Sequence, residues 1–109
     1  MKTNNPIGVK RMFVLNVYQY LKPGTTQEFL AKVRENEICE IAEKEPGCHM
    51  YQFYAPNDDK GEEHVLLVEK WENRDFQQAH LKLEAFRRMQ TFSRDYVIRG
   101  KLEAFHTED

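Results

Sequence analysis

The stretch CHMYQFYA (residues 48–55), PNDDKG (56–61) and EHVLLVEKW (63–71) decides how the chain folds. The first piece alternates and carries Tyr51, Phe53 and Tyr54, as a half-buried strand does. The middle piece is rich in turn formers. The last piece has Val65-Leu66-Leu67-Val68 at its centre and ends on Trp71. Two strands joined by so short a turn predict an antiparallel hairpin. On the second strand Val65, Leu67 and Trp71 alternate with Leu66 and Val68, so both faces are apolar.

Upstream, Met12 to Leu21 is rich in Phe, Val, Leu and Tyr and is read as a first strand, closed by Lys22-Pro23-Gly24. It too is two-sided: Phe13, Leu15 and Val17 alternate with Met12, Val14, Tyr18 and Tyr20. Thr25 and Glu28 have capping-box spacing and predict a helix start. That helix is expected to run to about Lys44, with Phe29, Leu30, Val33, Ile38 and Ile41 on one face. Glu45-Pro46-Gly47 stops it. Glu37 falls on the apolar stripe. Either the helix kinks and Glu37 reaches water, or Glu37 points into a pocket.

Downstream, Asn73 is read as the N-cap of a second helix. Phe76, Ala79, His80 and Leu83 lie at helical spacing, followed after a bend by Ala85, Phe86, Met89 and Phe92. Val97 to Phe105 is a fourth strand, with a bulge expected at Gly100. The order is β-α-β-β-α-β, an α+β, ferredoxin-like plan with helices on one face of a four-stranded antiparallel sheet. An antiparallel sheet with one wet face alternates apolar with polar. This one does not, which predicts that its second face packs on another subunit.

The composition fits that reading. The chain has 109 residues, with 31% charged and 40% hydrophobic residues, and rings from one Trp, five Tyr and seven Phe. It is long enough for one domain with a modest core. Residues 1–11 read as an N-terminal arm, 12–105 as the domain and 106–109 as a polar tail. A net charge of −2 offers no field for nucleic acid. No apolar run is long enough for a membrane span, and the polar first residues lead us to expect no secretory signal. Two cysteines, Cys39 and Cys48, make no disulfide framework, which predicts a reduced, cytoplasmic protein. His49, His64, His80 and His106 show no ligand spacing, so no metal is expected.

Lys22-Pro23-Gly24, then Glu45-Pro46-Gly47-Cys48 with Tyr51, then Val68-Glu69-Lys70-Trp71 with His80 nine residues on, resemble the antibiotic biosynthesis monooxygenase domain family over nearly the whole chain. The resemblance implies a homodimeric α+β barrel and a pocket between sheet and helices. It also implies an oxygenase of small aromatic phenols or quinols that uses O₂ and no cofactor. The resemblance to its haem-degrading branch fails: His80 stands at the Trp position and Gln90 at the ligand position. A second histidine common in the family is replaced by Ala85.

On this basis His80 is the candidate general base. Asn16, a polar interruption of the first strand, is the candidate contact for an anion or for O₂. Tyr18, Tyr51, Trp71, Phe76 and Glu37 are the candidate substrate contacts. Each has a structural alternative: packing for the rings and a cross-strand hydrogen bond for Asn16. Glu69 needs a partner, and Arg99 is the expected one. An isomerase or tautomerase in the same pocket and a non-enzymatic ligand-binding dimer are the rival functions.

Overall fold

A computed structural model of the chain describes residues 11–58 and 60–108. The N-terminal arm expected over residues 1–11 lies outside these except for Arg11. Four strands form one antiparallel sheet: β1 (Phe13–Leu21), β2 (Cys48–Tyr54), β3 (His64–Trp71) and β4 (Val97–His106), in spatial order β2-β3-β1-β4. Each expected helix is two pieces, α1 (Thr26–Glu35) with α2 (Ile38–Glu43), and α3 (Arg74–His80) with α4 (Glu84–Ser93). The fold is α+β and ferredoxin-like, as the element order predicts.

Alternation along the strands sorts the side chains. Phe13, Leu15 and Leu21 of β1 and Val65, Leu67, Glu69 and Trp71 of β3 are buried beneath the helices. Tyr51 joins them from β2, paired with Glu69. Phe29 and Val33 of α1, Ile38 and Ala42 of α2, and Ala85, Met89 and Phe92 of α4 close the core from above. Phe29 is its hub, with ring centroids 5.7 Å from Phe92, 5.9 Å from Tyr96 and 6.1 Å from Phe53. The opposite face carries Asn16, Tyr18, Leu66 and Val68 in cross-strand register.

The long first helix breaks at Asn36 and Glu37. Asn36 Nδ2 donates to the Lys32 carbonyl at 2.8 Å, and Arg88 of α4 donates to the Asn36 carbonyl at 3.0 Å. Glu37 adopts φ 53, in the left-handed region, which costs a side-chain-bearing residue about 1–2 kcal/mol. The turn lets α2 lie flat on the core, and it leaves Glu37 exposed to solvent.

The capping box does not form. Thr25 Oγ1 donates to the Lys22 carbonyl at 2.6 Å, and Glu28 accepts from the Tyr96 hydroxyl at 2.7 Å. Glu63, just before β3, takes over by accepting from the Gly24 and Thr26 amides at 2.8 and 2.9 Å. Asn73 does cap α3, accepting from the Phe76 amide at 3.2 Å. The β4 irregularity falls at Ile98, upstream of Gly100, where the register shifts from Tyr20↔Arg99 to Leu21↔Val97. His106 belongs to β4 and packs on Phe13, so the tail begins one residue later.

Candidate active site

The α3 face that turns to the sheet is Gln77 and His80; Ala79 and Leu83 of the expected stripe are exposed. The break after His80 ends the helix before that stripe completes. His80 is 1% exposed and sits among rings: its centroid is 5.0 Å from Trp71, 5.2 Å from Tyr51 and 5.8 Å from Phe86. Its Nδ1 lies 2.7 Å from Glu45 Oε1, and both side chains are buried. A carboxylate there accepts from Nδ1–H and fixes the tautomer, which leaves the Nε2 lone pair free to take a proton. Among the described residues Nε2 makes no hydrogen bond. Among the described residues Glu45 Oε2 is buried without a hydrogen bond, and His80 Nδ1 is the carboxylate's side-chain partner.

Gly47 makes this approach possible. It follows Glu45-Pro46 with φ 77, and a Cβ there would lie 2.3 Å from Phe76 Cγ. Its carbonyl accepts from the Glu72 amide at 2.7 Å. The turn before β2 and the start of α3 are therefore pressed together, which brings Glu45 beneath His80.

A cavity of about 510 Å³ opens between the helices and the sheet, within the usual ~300–1,000 Å³ of ligand sites. Phe13, Leu15, Leu67, Phe86 and Met89 line it, with His80, Glu69, Tyr51 and Gln77 as its inner polar groups. Glu69 does not pair with Arg99, which binds Glu62 on the surface. Glu69 Oε1 instead accepts from Trp71 Nε1 at 2.9 Å. Burial raises the Glu69 pKa; the Trp71 N–H and His80 oppose that shift and Glu45 adds to it. Burial, followed by the charge of Glu69, lifts the Tyr51 phenol well above its ordinary value. Burial also pushes Cys39 and Cys48 up to about 11 and about 12, so neither is a ready thiolate. A second hollow of about 450 Å³ is an open cleft between the start of α1 and the β2–β3 turn, with Gly24, Glu63 and His64 in its lining.

Of the candidate residues, the cavity gathers His80 and Tyr51. Trp71 is fully buried in the core behind them, packed on the His80 ring and hydrogen-bonded to Glu69. Phe76 packs on Gly47. Glu37 is at the helix break in solvent. Asn16 and Tyr18 point to the opposite face of β1, because residues of even number there alternate away from the helices. Asn16 Nδ2 donates weakly to Glu103 Oε1 across β4 at 3.5 Å, so in this chain it is not a partner of His80. Sequence reasoning missed Glu45, which reads only as part of a helix stop, and the cavity role of Glu69. Among the described residues no three His, Cys, Asp or Glu side chains are grouped to hold a metal.

Fold and site thus describe a ferredoxin-like α+β domain with a ligand cavity roofed by helices. A sequence model of the antibiotic biosynthesis monooxygenase family matches residues 12–91. The chain belongs to that family, whose domains are generally dimeric, and membership supports a monooxygenase-type function. None of the curated proteins matches the chain. Among solved structures, a Nitrosomonas europaea protein is similar at TM-score 0.78 and 22% identity, over 89% of this chain and 90% of that one. A Pseudomonas aeruginosa protein has TM-score 0.78 at 16% identity, over 92% and 97%. An antibiotic biosynthesis monooxygenase has TM-score 0.73 at 21% identity, over 89% and 99%. At such identities these likenesses establish the fold alone.

Proposed function

We propose that the chain is a cofactor-independent monooxygenase that oxidises a small aromatic quinol or phenol with O₂. The observation that carries this reading is the buried His80–Glu45 pair opening on an apolar cavity. An electron-rich aromatic or its keto tautomer loses a proton to His80 Nε2, and Glu45 stabilises the imidazolium that results. The anion passes one electron to O₂. The two radicals combine through a new C–O bond, the resulting peroxide anion takes the proton back from His80, and the hydroperoxide loses water to leave a C=O group. One oxygen atom ends in the product and one in water, whose hydrogens are the proton lent to His80 and the hydrogen that remained on the oxidised carbon. The apolar walls keep bulk water from the anion.

Oxygen uptake measured over a panel of reduced quinones tests the reading. Turnover is expected to fall about 10²–10⁴-fold in His80→Ala. Uptake no faster than the uncatalysed rate, or an unaffected variant, would sink it. A second reading, an isomerase, is favoured by His80 and Glu69 sharing one cavity, since two proton-transfer groups suffice for it; turnover that persists without O₂ would select it. The proposal includes a homodimer in which the sheet face bearing Tyr18, Leu66 and Val68 packs on a second copy.

A further inference from the structure

Two hydrogen-bond donors on α3 have no task in the reading above. Arg74 opens the helix and Gln77 follows three residues on. Both line the cavity, Arg74 exposed at its rim and Gln77 buried, with His80 three residues further in. Arg74 is the single lysine or arginine among the described lining residues. None of the ion pairs among the described residues includes it, so it does not compensate Glu69 of the same lining. Gln77 is 7% exposed, and its Oε1 accepts from Gln78 Nε2 at 2.7 Å. That contact sets the amide and leaves the Gln77 Nε2 hydrogens without an acceptor among the described residues. A buried side-chain amide ordinarily has its donors paired, so the cavity is where this one finds a partner.

We propose that Arg74 and Gln77 form an anion subsite at the cavity mouth, so that the ligand is a hydroxyaryl carboxylate that enters hydroxyl first. The proposal rests on the reading of His80 as the group that meets the hydroxyl. A guanidinium stays charged at every working pH, and an amide does not titrate, so neither donor depends on a protonation state. Their planar N–H groups match the two oxygens of a carboxylate. Charge also sets the direction of entry. Glu45 and Glu69 lie at the inner end around His80, where a second anion is repelled, and Arg74 attracts it at the rim. Six residues separate Arg74 from His80, about 9 Å along the helix axis. A two-ring aromatic with its hydroxyl and carboxylate at opposite ends spans that distance, and Phe86 and Met89 offer apolar surface to its rings.

Calorimetric titration with three probes tests this: 6-hydroxy-2-naphthoate, 2-naphthol without the acid, and 3-hydroxy-2-naphthoate with the two groups side by side. The 6-hydroxy acid is expected to bind tightest, about tenfold or more above 2-naphthol, the scale of a hydrogen bond to a charged group. Arg74→Gln is expected to remove that gap and to leave 2-naphthol unchanged. Because Arg74 is exposed, this variant keeps the core intact. Gln77→Leu fills the same space without donors and is expected to weaken the 6-hydroxy acid about fivefold, as one neutral hydrogen bond does, again sparing 2-naphthol. The proposal is overturned by a 6-hydroxy acid that binds no better than 2-naphthol, by a gap that survives Arg74→Gln, by equal affinity for the two hydroxy acids, or by an absence of probe binding. Failure of the monooxygenase reading looks different: the 6-hydroxy acid binds through Arg74, yet no quinol consumes O₂.

Discussion

The Glu45 carboxylate holds one imidazole tautomer in place, so removing its charge isolates that role. Glu45→Gln keeps the volume but can offer Nδ1 either end of an amide. Turnover is expected to fall about 10²–10⁴-fold with substrate KM little changed, measured by steady-state oxygen uptake. An equal loss in KM would instead mark Glu45 as a binding group. His80 was legible in the sequence because it interrupts an apolar helical stripe at a family spacing. Glu45 was not, since a glutamate before Pro46-Gly47 carries no periodic signal and meets His80 only across 35 residues of chain. For Glu37 the sequence left a kink or a pocket open. A helical wheel assumes continuous winding, and the left-handed residue at position 37 breaks it and takes the kinked, solvent-facing alternative.

Elements place these residues, and two of their junctions are open to test. Gly47→Ala puts a methyl group into the Phe76 ring at a positive φ. A loss of about 1–3 kcal/mol is expected, seen in urea unfolding, together with slower oxygen uptake as α3 is pushed off the turn that carries Glu45. Glu63 joins the sheet to α1. Its pKa is lowered, first by the Thr26 hydroxyl and then by the backbone amides of Gly24 and Thr26. A lowered folded-state pKa means that the stabilisation is present above the unfolded value of about 4.3 and is lost as pH falls through the folded one. Glu63→Gln is therefore expected to lower Tm near neutral pH, and the gap to the wild type is expected to close in acid. The strands were read to within a residue or so from alternation and turn formers. The Asn73 cap of α3 was read too, but the cap of α1 was not, because the acceptor that serves it comes from another element.

At the scale of the whole molecule, the sheet face away from the helices is the main unanswered surface of the single chain. Val68→Arg places a charge at its centre, opposite Asn16 on β1. Sedimentation is expected to show a dimer for the wild type and a 13.0 kDa monomer for the variant; a wild-type monomer would refute the proposed assembly. The sequence by itself determined the strand and helix order and the two-sided sheet. These follow from local periodicity, which each segment carries alone. It also singled out His80 as the polar residue of an apolar face. Tertiary structure alone decided that Glu45 and Glu69 flank this histidine, that Trp71 stands behind the cavity wall, and that Asn16 faces the other way. Those outcomes depend on cross-strand register, on a break in α1 and on close contact at Gly47, and all three arise only when distant segments pack.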